Sequence, residues 1–193
     1  MTEMENLVKL LQEAGLLKKL KRSGFWIHGV DNPESIADHA HRATLIGYLI
    51  AKIEGADREK VMKMLIFHDL HETRINDIHK ITQNYIDRTN AENKVIKEQA
   101  KWMPEDIGNE YKELMEEFNE KKTLEAQIAN DADKLDLIFQ VKDIMNTGNM
   151  EVKDMFDRGG QVLRTKTAKE IYKVLKSDPE RWWKGLKKDL SEE

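Results

Sequence analysis

Three stretches of the chain carry side chains that could share one cation. Phe67-His68-Asp69-Leu70-His71-Glu72 sets an imidazole beside a carboxylate and adds Glu72 one helical turn after His68. His39 lies 29 positions upstream of His68, and Asp133 lies downstream with Asp131 and Asp136 as rivals. The chain has no cysteine, so thiolate sites and disulfides are excluded. What remains is imidazole nitrogen and carboxylate oxygen, a donor set suited to a divalent first-row ion. Neighbours on a helix point about 100° apart, and His68 and Asp69 can still reach one ion lodged against their shared edge. The apolar run Met64-Leu65-Ile66-Phe67 drives the pair inward, where charge needs compensation. Each member has a plainer reading. A lone His-Asp pair is usually a surface pair, and Asp133 alone is a partner for Lys134 or Lys142. The ordered combination carries the metal reading.

The elements that must bring these places together read as helices. With 10 Gly and 3 Pro in 193 residues, few breakers interrupt the pattern, and 35% charged residues fit long solvated helix faces. The expected fold is all-α, a single domain over 1–193. Residues 6–20 form an amphipathic helix with a break at Gly15. Ser35 caps a helix that runs to Gly55, with Ile36, Ala40, Ala43, Ile46, Leu49, Ile50 and Ile53 inside. Asp57 caps the next helix, which delivers His68-Asp69. The short Glu54-Gly55-Ala56 turn makes these two helices antiparallel and brings His39 towards His68. Residues 74–88 are irregular, and 91–102 form a polar helix. Pro104 takes the first helical position of a helix reaching about residue 119. A long helix over 123–145 buries Ile128, Ala132, Leu135, Ile138 and Phe139 and presents Asp133. A short helix over 150–158 closes at Gly159-Gly160, and helices over 165–176 and 180–190 follow, with Trp182-Trp183 as an anchor or dimer contact.

A formal net charge of -4 gives no basic field for duplex nucleic acid. An anionic substrate must then be held by local cations or a metal. Lys18, Lys19 and Lys21 read as a solvated face. No apolar run approaches the ~20 residues of a membrane span, and the acidic start Met1-Thr2-Glu3-Met4-Glu5 is no signal peptide. A cytoplasmic protein is expected, free of membrane and duplex nucleic acid.

The order His39, His68-Asp69, Asp133 resembles the HD-domain metal-dependent phosphohydrolase superfamily. Pro33-Glu34-Ser35-Ile36-Ala37-Asp38-His39, His68-Asp69-Leu70-His71-Glu72, Asp77-Ile78, Met103-Pro104-Glu105-Asp106 and Asn130-Asp131-Ala132-Asp133-Lys134 are similar to its 5′-deoxynucleotidase branch. The likeness runs from about residue 20 to 143, with helices over 150–190 packing on that core. It implies a helical HD-domain bundle, commonly dimeric. It also implies a small-molecule nucleotide substrate and one divalent ion (Co, Mn, Zn, Mg, Fe or Ni) held by His39, His68, Asp69 and Asp133. Glu72 and Asp77 are the implied catalytic carboxylates, and Arg22 the phosphate-binding arginine. Relatives often read Arg-x-Gly-Trp where this chain reads Arg22-Ser23-Gly24-Phe25-Trp26, so the sugar-facing ring is Phe25 or Trp26. Asn76 stands where many relatives have glycine. The implied activity is removal of the 5′-phosphate from deoxyribonucleoside monophosphates. The alternatives are hydrolysis of a triphosphate or cyclic nucleotide, or a non-catalytic nucleotide-binding scaffold.

Overall fold

The computed structural model describes residues 2–177, 181–184 and 186, which contain helices and no strand. The helices are α1 Glu3–Ala14, α2 Ile36–Glu54, α3 Arg58–Phe67, α4 Glu72–Ile75, α5 Arg88–Ala100, α6 Glu105–Glu120, α7 Leu124–Asn146, α8 Lys153–Gln161 and α9 Lys166–Lys176. Most of the helix expected over 180–190 lies outside the described residues. Within 181–184, Trp182 is 81% and Trp183 40% exposed.

Local chemistry starts most of these helices where the chain supplies a cap. Thr2 and Ser35 form capping boxes with Glu5 and Asp38. Asp57, Asp87, Thr123 and Thr165 accept N–H bonds from the first turns of α3, α5, α7 and α9. Gly55 ends α2 in the left-handed conformation at φ 74°, its N–H on Ala51 O, where a Cβ would be strained. Pro104 is one position earlier than expected. It is extended at ψ 144°, and Glu105 is the first helical residue of α6.

The centre of the molecule is α7, packed by α2, α3, α6, α8 and α9. Its buried residues run round the helix and include Ala126, Ile128, Ala132, Leu135, Ile138 and Val141. A helix enclosed on all sides loses the one-sided pattern of a surface helix. Two expectations fail here for packing reasons. Leu49 and Ile53 of α2 are 49% and 68% exposed, because the buried strip runs through Ala43, Gly47, Ile50 and Ala51. Gly159-Gly160 does not end a helix but lies inside α8. There a Cβ on Gly159 would fall 2.7 Å from Ile138 of α7, and one on Gly160 would collide with the Tyr172 ring of α9. The glycines permit close packing.

Two devices hold the future site. Lys21 and Ser35 make an isolated antiparallel bridge, in which Arg22 N–H donates to Glu34 O at 3.1 Å and Ile36 N–H to Leu20 O at 3.0 Å. Arg22 is thereby clipped beside the start of α2. On the other side, Glu13 of α1 accepts bonds from Thr73 (2.6 Å), Arg74 (2.9 and 2.8 Å) and Gln99 (2.7 Å), tying α4 to α1 and α5.

Candidate metal centre

His39 projects from the first turns of α2 and is fully buried. His68 follows the last residue of α3, and Asp69 continues the turn towards α4. Asp133 stands on α7. The structure groups His39, His68 and Asp69 and sets Asp133 against His39. His39 Nε2 lies 3.2 Å from His68 Nε2, 3.2 Å from Asp133 Oδ1 and 3.6 Å from Asp69 Oδ2, and His68 Nε2 lies 3.1 Å from Asp69 Oδ2. His39, His68 and Asp69 offer ligand atoms all within 4.8 Å of one another.

The protein turns both Nε2 atoms towards that centre. His68 Nδ1 is 2.8 Å from Leu65 O, a carbonyl that only accepts, so the ring donates from Nδ1. His39 Nδ1 faces Asp136 Oδ2 at 2.5 Å. Two Nε2 lone pairs facing each other and two carboxylates repel unless positive charge lies among them. Burial and the Arg22 charge would lower the His39 pKa, yet its bonds to Asp133 and Asp136 carry it up to about 9. Burial acts against the charged forms of Asp69 and Asp133, but the neighbouring histidines outweigh it and hold both carboxyls well below the usual range. The spacing fits a metal as well. Donors ~2.1 Å from an ion and roughly 90–110° apart sit about 3.0–3.4 Å from one another, close to what is seen here.

Three aspartates of α7 were candidates, and their partners separate them. Asp131 accepts the N–H groups of Arg164 and Thr165 at 2.9 and 2.7 Å and anchors the start of α9. Asp136 is behind His39. Asp133 faces the Nε2 side.

Glu72 opens α4, its N–H on Asp69 O at 3.0 Å, with its side chain buried and Oε2 lacking any hydrogen-bond partner. Burial first, then the Asp69 and Asp77 charges, push its carboxyl well above the ordinary value. Asp77 accepts Ser23 N–H at 2.5 Å, and the Ser23 hydroxyl donates to Asp77 O at 2.8 Å. That pair fastens the loop bearing Arg22 to the loop after α4. Arg22 stands in the field of Asp133, Asp69, Asp77 and Glu34, which outweighs its burial and raises its pKa. Asn76, between Glu72 and Asp77, has φ 61° and ψ 171°. Phe25 is 1% exposed and packs in the core, so its ring has no free face; Trp26 is 54% exposed.

Several neighbours lay outside the expected site set; Asp136 entered only as a rival of Asp133, and His71 as a residue more at home on the surface or behind the ligands. Asp136 and Arg42 flank the back of His39, and Arg42 Nε donates to Asp136. The available signal was spacing: Arg42 follows His39 by three, and Asp136 follows Asp133 by three, one helix face in each case. Arg88 of α5 bonds Glu92, and its charge bears on Asp69 and Glu72. His71 is buried with Nε2 3.2 Å from Glu92 and takes no place in the cluster.

The fold and site define an all-helical protein in which two histidines and an aspartate cluster closely enough to hold a metal ion, with Asp133 of a third helical segment beside His39. A family model described as HD domain matches residues 14–175. The protein named 5′-deoxynucleotidase HDDC2 from Dictyostelium discoideum is 33% identical over 147 residues, covering 71% of this chain and 76% of that protein. The 5′-deoxynucleotidase hdd1 of Schizosaccharomyces pombe is 27% identical over 191 residues, 94% of each chain. Among solved structures, a conserved hypothetical protein from Pyrococcus furiosus superposes with a TM-score of 0.74 at 33% identity, covering 88% of this chain and 97% of that one. The chain belongs to the HD-domain family.

Proposed function

We propose that this protein is a metal-dependent 5′-deoxynucleotidase, hydrolysing deoxyribonucleoside 5′-monophosphates to deoxynucleoside and phosphate. The observation that carries the reading is the convergence of His39, His68, Asp69 and Asp133 beside Arg22, in a chain whose relatives bear that activity in their names. The four side chains are the ligands of one divalent ion. When bound, such an ion lowers the pKa of a water and polarises a phosphoryl oxygen.

The chain's own groups supply the rest. Arg22 binds the phosphate through its planar fork. Asp77, bonded to Ser23, holds that arginine's loop in place. Burial and its carboxylate neighbours favour the protonated form of Glu72, which suits it to give a proton to the 5′-oxygen as the P–O bond breaks. The sugar contact falls to Trp26, the ring of the pair with an open face. A homodimer in the cytoplasm completes the reading. The exposed stripe Leu45, Leu49 and Ile53 on α2 is an apolar surface that a second copy would cover.

The test is phosphate release from a panel of deoxyribo- and ribonucleoside mono-, tri- and cyclic phosphates. Chelated protein is used, with Co, Mn, Zn, Mg, Fe or Ni returned in turn. Release from deoxyribonucleoside 5′-monophosphates is expected in excess of the others. Preference for a triphosphate or cyclic nucleotide would replace the substrate class, and metal binding without turnover would make the protein a binding module.

A further inference from the structure

We infer that Asp136 is a positioning residue for the metal centre: clamped by Arg42, its carboxylate fixes the His39 proton on Nδ1 and so keeps the Nε2 lone pair aimed at the ion. The inference rests on the metal reading above and adds a residue that does not itself touch the cation.

Asp136 is fully buried on the α7 face that meets α2. Its Oδ2 lies 2.5 Å from His39 Nδ1, and its Oδ1 accepts Arg42 Nε–H. Arg42 Nη2 donates to Asp136 O at 3.2 Å and to Gln140 Oε1 at 3.1 Å, and Nη1 reaches Asp143 at 3.5 Å. Four acceptors of α7 thus hold one planar guanidinium, which in turn holds the carboxylate; a lysine has no such fork. Two acidic residues three apart on α7 meet a histidine and an arginine three apart on α2. Asp133 faces the Nε2 side of His39 and Asp136 the Nδ1 side.

The two histidines are supported differently. His68 donates to a neutral carbonyl, Leu65 O at 2.8 Å. His39 Nδ1 faces a carboxyl group, Asp136 Oδ2 at 2.5 Å. A carboxylate partner makes the opposite ring nitrogen more basic and locks the ring orientation, and losing such a partner typically weakens metal binding about 10- to 100-fold. Without Asp136, His39 is free to carry its proton on Nε2, where it blocks the ion. His39 is therefore the ligand whose donor strength the fold has reinforced.

The test uses the full chain, chelated and then titrated with zinc or cobalt(II), comparing wild type, Asp136→Ala, Asp136→Glu and Arg42→Lys. Far-UV circular dichroism and thermal melting of the chelated forms report folding. Asp136→Ala is expected to bind metal about 10- to 100-fold more weakly, Arg42→Lys to fall between it and wild type, and Asp136→Glu to recover part of the affinity. Long-range proton–nitrogen spectra of the zinc-loaded protein should place the His39 proton on Nδ1 in wild type and lose that signal in Asp136→Ala. Wild-type affinity in Asp136→Ala, with His39 still protonated at Nδ1, would overturn the inference. If Asp136→Ala fails to fold, Arg42→Lys decides, and unchanged affinity there overturns it. Wild type that binds neither metal brings down the metal reading itself and this inference with it; wild type that binds while every variant matches it brings down this inference alone.

Discussion

Glu72 and Asp69 are three residues apart, and their surroundings shift their carboxyls in opposite directions. Both are carboxyls in a shielded place. Burial acts on both towards the neutral form, but Asp69 has His68 and His39 beside it, whereas Glu72 has Asp69 and Asp77. The surroundings thus favour the ionised form of Asp69 and the neutral form of Glu72, which suits the ligand and proton-donor roles proposed for them. Asp69→Ala is expected to lose bound metal and turnover while keeping its helical content; elemental analysis at wild-type stoichiometry would remove Asp69 from the ligand set. Glu72→Gln should keep its metal and lose roughly 10²–10⁴-fold in turnover, read by steady-state phosphate release. Sequence could name His39, His68 and Asp69 because their types and spacing leave few alternatives. It could not choose among Asp131, Asp133 and Asp136 by periodicity, since α7 is buried almost all round and each position meets something. The resemblance singled out Asp133, and the partners of the other two agree: backbone N–H groups for Asp131, His39 Nδ1 and Arg42 for Asp136.

At the level of elements, α4 is a single turn that cannot be stable alone, so its neighbours must place Glu72. Glu13 does this from α1. Burial raises its carboxyl, but bonds from Arg74, Thr73 and Gln99 outweigh that and leave it below its ordinary 4.5. A carboxyl held low in the fold contributes stability in full above that ordinary value and loses it as pH falls through the folded value. Glu13→Gln is therefore expected to cost ~1–3 kcal/mol near neutrality and to flatten the acid limb of a denaturation series below pH 4.5. An unchanged acid limb would contradict the pin. Asn76 ends the same turn in a region of φ and ψ that is nearly glycine's alone, a strain of order 1–3 kcal/mol. Asn76→Gly should raise the melting temperature, by relief of about 1 kcal/mol after the extra chain entropy of glycine. The caps at Ser35 and Asp57 were legible because a cap is a local interaction. The place of Gly159-Gly160 was not, because a glycine that ends a helix and one that lets helices touch look alike until the neighbouring helix is known.

Across the whole molecule, the site exists because α2, the end of α3 and α7 meet. His39, His68 and Asp69 are held 3.1–3.6 Å from one another, with Asp133 3.2 Å from His39, by packing that none of them stabilises alone. The all-helical class was legible from composition and spacing. The inward direction of α2 was only half legible, since it carries apolar residues on two faces and the small-residue face won the contact. The central claim is that this cluster holds a divalent ion on which phosphate-ester hydrolysis depends. It is tested most directly by following phosphate release from a deoxyribonucleoside 5′-monophosphate as one divalent metal is titrated into chelated wild type and chelated Asp69→Ala. The account predicts no release before metal is added, release rising with bound metal in wild type, and none at any metal concentration in Asp69→Ala. Full release by the chelated protein, or equal release by the variant, would contradict it.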